Sequence, residues 1–244
     1  MKINFPLLAL AVGAFAIGTT EFSPMGFLPE IANDLSVSIP QAGLLISAYA
    51  VGVMIGAPLM TLWLARFPKK TALILLMAIF TIGNVLATVA PDYMSLMGAR
   101  LITSLNHGAF FGLGSVVAAS VVPKDKQASA VAMIFMGLTI ANIGGVPLAT
   151  WLSQNTSWRM AFAAISILGI MTMLALWKAL PQDHDVVKPN VAKGLRVLTR
   201  APVVLALLTT VMSAGAMFAL YTYIAPSLHV FMQASPQTIT LMLV

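Results

Sequence analysis

The sequence predicts an all-α membrane protein with seven spanning helices and the start of an eighth, and three observations carry that prediction. The 244 residues are 59% hydrophobic and only 8% charged, with a mean hydropathy of +0.95, which lies outside the range of soluble domains. Apolar segments of about 20 residues, the length that crosses a bilayer core, recur at 5–28, 41–65, 71–90, 94–122, 128–152, 159–180 and 202–225, each bounded by Pro, charge or turn residues. Of the 13 Lys and Arg, all except Arg100 and Arg159 fall at the N-terminus or in even-numbered connections. The positive-inside rule makes that side, and the N-terminus, cytoplasmic. A net charge of +6 therefore reports orientation and not a nucleic-acid partner. Without cysteine the chain has no disulfide or thiolate metal site, and no metal or cofactor is expected.

The first span follows Met1-Lys2-Ile3-Asn4, a charged start like that of a signal peptide. Its apolar run is too long for a signal h-region and has no AxA-like cleavage site, so it reads as a retained helix. It contains one carboxylate, Glu21, about seven residues before its outer end and so roughly 10 Å below the surface. A carboxylate in hydrocarbon costs a few kcal/mol, and such a residue faces a protein interior or a wet cavity by default. Glu21 is the first candidate site residue. Pro24 removes the amide that would bond the Thr20 carbonyl, leaving a polar backbone group beside Glu21 and room for a bend. A plain packing kink is the other reading of Pro24.

The second span ends in a basic connection, Arg66, Lys69 and Lys70, and the third carries Asn84 in its interior. On the fourth, Arg100 follows Tyr93 by seven residues, which gives it a depth similar to that of Glu21 and makes an acid–base pair expected. Arg100, Ser104, His107 and Phe111 are spaced by 4, 3 and 4, one face of a helix. With Asn106 beside them and Gly108, Gly112 and Gly114 opening room, that stripe reads as one wall of a cavity for substrate. The alternatives are an Arg100 that snorkels outward and a His107 that is a neutral, hydrogen-bonded core residue.

The fifth span holds Gly137, Asn142, Gly144, Gly145 and Pro147, a run that allows close helix approach and a bend. Asn142 either joins the polar interior or bonds between helices. After the sixth span the polar stretch 181–200 reads as a cytoplasmic linker, and a new span begins after it. Residues 1–180 thus form a six-helix half, and 201–244 hold helix 7 and the start of helix 8 near Gln237. Six helices, a linker and a new helix are the layout of a transporter built from two six-helix halves, each of three-plus-three inverted repeats. No repeat is legible between the first three helices and the next three.

At these residues the chain resembles the major facilitator superfamily, within the drug:proton antiporter family 1 and its arabinose-efflux subgroup. The stretches Gly18–Gly26 and Leu28–Ala32 are similar to that subgroup's first helix and its outer end, and Ser47–Gly52 with Gly56-Ala57-Pro58 to its second. Asn106–Gly112 on the fourth span is the most specific match, and Trp158-Arg159 is another. The loop that reads GxLaDRxGRR in many members runs here from Thr61 to Lys70. It keeps Arg66, Lys69 and Lys70 as a gate loop but has Ala65 in place of Asp and Pro68 in place of Gly. Arg100 matches the Arg that the family associates with proton coupling, with Ser104 in place of Gly, and the GPxxGG core survives only as Asn142–Pro147.

The resemblance implies a multi-pass protein of a bacterial inner membrane, with the lipid bilayer, protons and a small-molecule substrate as its partners. It implies proton-coupled efflux of small amphipathic compounds or sugars by alternating access, with Glu21 and Arg100 in coupling. Twelve helices need roughly 400 residues. The expectation is therefore a fragment, a prematurely ended product, or a half that pairs with a partner half. Two other classes stand beside this one. An intramembrane enzyme would draw on Ser104, Asn106, His107 and Ser115, with His229 at the outer end of helix 7, although no GxSG occurs. A structural or assembly subunit would need none of these residues.

Overall fold

The computed structural model describes residues 4–181 and 199–242. Lys2, Lys188, Lys193, Arg196 and the linker from residue 182 to 198 lie outside the described residues. Among those described, seven helical segments are long and apolar enough to span a membrane. The first three are α1 (Phe5–Gly26), α3 (Ile39–Leu64) and α4 (Lys69–Thr88). The fourth is α5 (Tyr93–Ser104) with α6 (His107–Ser120), and the fifth is α7 (Gln127–Ile140), a π segment (Ala141–Gly145) and α8 (Val146–Asn155). The sixth and seventh are α9 (Trp158–Ala179) and α10 (Ala201–Thr222). Short helices that the sequence reading missed follow the first and seventh spans: α2 (Leu28–Asp34) and α11 (Ile224–Met232). The eighth element is α12 (Pro236–Met242).

Local chemistry sets these boundaries. Asn4, Asp92 and Ser157 accept from backbone amides in the first turns of α1, α5 and α9, and Ser38 with Gln41 forms a capping box on α3. Each contact satisfies an amide that helix geometry leaves without a partner.

The fourth span is not the continuous helix expected over 94–122. It tightens at Leu105–Asn106, where the Leu105 amide donates to Ile102 C=O (3.3 Å) and the Asn106 amide to Thr103 C=O (3.4 Å). These three-residue turns advance the phase faster than α geometry does, so positions before and after them no longer share one face. The fifth span likewise opens into a π segment that ends two residues before Pro147, which has no amide to give to Ile143.

Six helices form the core, and their packing follows a rule that the sequence hides. The main contacts join spans 3 and 6 (α4 with α9), 1 and 5 (α1 with α7), 2 and 4 (α3 with α5 and α6), 3 and 4, and 1 and 6. Exchange 1 with 4, 2 with 5 and 3 with 6, and the set maps onto itself. That is the signature of three-plus-three repeats. The packed surfaces, rather than residue identities, carry it.

α10 stands apart from this bundle, with almost its whole length exposed. It touches α1 through Phe218 and Tyr221, whose rings lie 5.4 and 6.2 Å from that of Phe22.

Candidate functional site

The site begins at the Thr20 carbonyl. Pro24 cannot donate to it, and the Arg100 guanidinium takes the place of the missing amide: Nη1 donates to Thr20 C=O at 2.9 Å. Arg100 is fully buried, with its Cζ 4.2 Å from the centroid of the Tyr49 ring, a cation–π contact of the desolvated kind. Its Nε and Nη2 have no protein partner. Arg100 therefore does not snorkel. It also does not form the direct pair with Glu21 that equal depth predicts, because the backbone oxygen one residue earlier holds it.

Glu21 faces His107 instead, with Oε2 3.8 Å from Nε2, and both side chains are only about 15% exposed (15% and 14%). The other ring nitrogen, Nδ1, lies 3.1 Å from the Tyr49 hydroxyl. When Tyr49 donates to Nδ1, the neutral imidazole carries its hydrogen on Nε2, directed at the carboxylate. Phe111 packs one turn on from His107 (5.2 Å between centroids) and stacks on Phe135 of α7 (5.3 Å). One chain of contacts thus runs from Thr20 through Arg100, Tyr49 and His107 to Glu21. Below it, Thr20 Oγ1 donates to Asn84 Oδ1 (2.6 Å), and Asn84 Nδ2 donates to Phe80 C=O (2.9 Å), both residues being buried.

Glu21 and Tyr49 also line a cavity of about 550 Å³ between α1, α3 and α10, whose other wall includes Phe218, Thr222 and Tyr223. Among the described residues Glu21 is its sole charged side chain. The remaining sequence candidates lie elsewhere. Ser104 is buried against Gly52 of α3, where a Cβ would strike its hydroxyl, and donates to Leu101 C=O (2.7 Å). Asn106 is buried with Nδ2 4.0 Å from Met77 Sδ of α4. Both are turned from the expected cavity wall by the tightened turn at 105–106. No Ser104–His107 pair forms, so the geometry of a serine hydrolase is absent here. Asn142, half-buried in the π segment, donates to Leu138 C=O (3.2 Å) and does not reach Glu21's cavity. Lys70 donates to Leu180 C=O (2.7 Å), and Arg66 lies against Trp63 and Phe67.

A second polar cluster at the opposite ends of the spans went unread in the sequence. Asp34 accepts from Arg159 Nη1 (2.5 Å) and Trp158 Nε1 (3.0 Å), while Arg159 Nη2 donates to Ala90 C=O (2.9 Å). Three connections are tied together there. The Arg159 hydrogen bond, helped by Trp158, holds the Asp34 carboxyl below its ordinary range. Glu30, four residues earlier, is pushed up by burial against the pull of its own backbone amide and of His229. The conjunction of Trp158-Arg159 with an acid at the end of the first connection was the available signal.

Comparison with known proteins agrees with the fold. The chain is 66% identical over 244 residues to the inner membrane transport protein YdhP of Escherichia coli (strain K12), and the match covers 100% of this chain and 63% of that protein. It is 37% identical over 220 residues to the putative transporter AraJ of the same strain, covering 90% and 56%. A crystal structure of a bacterial homologue of the human lysosomal transporter Spinster, inward-facing and unoccupied, superposes with a TM-score of 0.79 at 18% identity, covering 98% of this chain and 58% of that one. Residues 10–244 match the model of the Major Facilitator Superfamily. This chain therefore belongs to the Major Facilitator Superfamily, a family of transporters and not of enzymes.

Proposed function

We propose that the chain supplies the first half, and the beginning of the second, of a proton-coupled carrier that exports small amphipathic compounds or sugars from a bacterial cell. One observation carries the reading: among the described residues the 550 Å³ cavity has a single charged lining residue, Glu21, and a buried arginine and tyrosine and a half-buried histidine are linked behind it. When Glu21 binds a proton it loses its attraction to His107 and its longer-range attraction to Arg100. That loosens α1 from α3 and the fourth span, so protonation biases the equilibrium between two arrangements of the bundle. Rocking of two halves about a site near the midplane then gives alternating access. The chain spans less than two thirds of YdhP's length, so this cycle belongs to the complete carrier, with the remaining helices on the same polypeptide or in a partner half. Efflux as the direction is supported by the subgroup resemblance at Asn106–Gly112 and Trp158-Arg159.

A cytoplasmic N-terminus is supported by Arg66, Lys69, Lys70, Lys124, Lys126 and Lys178 at one set of helix ends, with Glu30, Asp34 and Asp92 at the other. On this reading the loop of Arg66, Lys69 and Lys70 is the cytoplasmic gate.

The test is transport by the complete carrier in proteoliposomes under an imposed pH gradient. Glu21→Gln is expected to abolish proton-linked transport while membrane insertion stays normal, and Arg100→Ala to impair coupling. Unaltered pH-dependent transport in Glu21→Gln would refute the assignment.

A further inference from the structure

α10 meets the first six spans at one end. From Ala201 to Ser213 every residue except Val203 is exposed, whereas further along Phe218 and Tyr221 pack on Phe22 and Thr222 is buried. Tyr223 marks the joint between α10 and α11, where its amide turns back to Leu220 C=O (3.3 Å). Its side chain crosses to α3 and lies on Gly43. A Cβ at Gly43 would stand 2.7 Å from the Tyr223 hydroxyl oxygen and 3.1 and 3.2 Å from Cζ and Cε1 of the ring, so the ring keeps this place only over glycine.

What lies beneath gives that contact a use. Gly43, Ser47, Ala50 and Val53 share one face of α3, and the last three line the 550 Å³ cavity that holds Glu21. Gly43 stands one turn beyond that lining, toward the end of the bundle where Asp34 meets Arg159. Tyr223 belongs to both levels, since it lines the cavity and rests on Gly43. The α3 side of the contact is fixed: Gln41 C=O accepts from the Tyr93 hydroxyl (2.7 Å), and Ser38 with Gln41 caps the same turn. Tyr223 sits instead at a helix joint, where a change of backbone angles moves the ring together with its helices. Resting on the alternating-access reading above, we propose that Tyr223 on Gly43 is the gate that shuts Glu21's cavity at the end which that reading makes outer, and that it opens when α10 and α11 draw away from α3.

The chain contains no cysteine, so a thiol placed in the cavity wall reports access to it. Ala50→Cys in the complete carrier, with any cysteine outside this chain replaced, is labelled in right-side-out membrane vesicles by a membrane-impermeant maleimide. The labelling rate follows the fraction of carriers whose gate is open. Tyr223→Ala removes the lid and Gly43→Leu occupies its seat. Each is expected to raise the rate about tenfold, the order by which a lost or overpacked contact shifts such an equilibrium. Combining the two places a leucine in the space that the ring vacates, and the rate is expected to return toward that of the Ala50→Cys parent. A general loosening of the fold would instead make the double variant label at least as fast as either single one. That result overturns the proposal, and so does a Tyr223→Ala rate equal to the parent's. Access is read without substrate or a pH gradient, so the gate can fail while Glu21→Gln still abolishes proton-linked transport, and the reverse.

Discussion

Gly137→Ala tests how closely α7 must approach α1 to hold the helix that carries Glu21. A Cβ at Gly137 overlaps the Ala11 carbonyl oxygen and lies 3.0 Å from the carbonyl carbon and 3.1 Å from Ala14 Cβ. The first two are backbone atoms of a straight helix, which cannot swing aside as a side-chain tip can. α7 must therefore back away from α1 along one of the largest contacts in the bundle. Overpacking of this kind costs about 1–3 kcal/mol, whereas replacing Gly by Ala in a helix gains up to about 1 kcal/mol. The net expectation is a loss of about 1–2 kcal/mol. Gly98→Ala on α5 is the control, since nothing lies within 4 Å of its Cβ and only the gain remains. The helix gain is common to both, so the two variants should differ by the overpacking cost, about 1–3 kcal/mol. At roughly 2–4 °C per kcal/mol for a chain of this size, Gly137→Ala should melt several degrees below the parent in detergent and Gly98→Ala at or above it. Equal melting temperatures for the two variants would show that the α1–α7 approach is not limiting.

Two other substitutions read out polar contacts. Thr20→Val keeps the shape of the side chain but removes the donor to Asn84 Oδ1, leaving a buried acceptor unmatched; a loss of about 1–3 kcal/mol is expected in denaturant titration, and parental stability would mean that the contact is idle. Asp34→Asn weakens the tie among three connections, and because both partners are partly exposed, at 30% and 47%, the ion pair itself is worth no more than about 1 kcal/mol. The folded Asp34 pKa lies below its ordinary value. Its contribution is therefore complete above the unfolded pKa and is lost as pH falls through the folded one. The parent's stability advantage over Asp34→Asn should be constant near neutrality and shrink below about pH 4, and a gap that widens on acidification would contradict the pairing.

Composition and the length of the apolar runs determined the architecture, because a bilayer admits only closed barrels or helices of a set length, and runs of about 20 apolar residues are long enough only for helices. All seven spans begin and end within a few residues of their expected places. Glu21 and Arg100 were legible singly, since a charge in an apolar run is conspicuous, and even the carbonyl that Arg100 holds followed from Pro24. The partners were not legible. Helical periodicity assumes an unbroken helix, and the tight turn at Leu105–Asn106 shifts the phase, sending Ser104 to Gly52 and Asn106 to Met77 while His107 stays with Glu21. Depth estimates resolve a turn of helix but not one residue, so an expected Glu21–Arg100 pair became two neighbouring contacts, through Thr20 and through His107. The inverted repeat shows the same division: it is absent from residue identities and present in which helices touch, because packing constrains the shape and spacing of surfaces and leaves many side chains able to satisfy it.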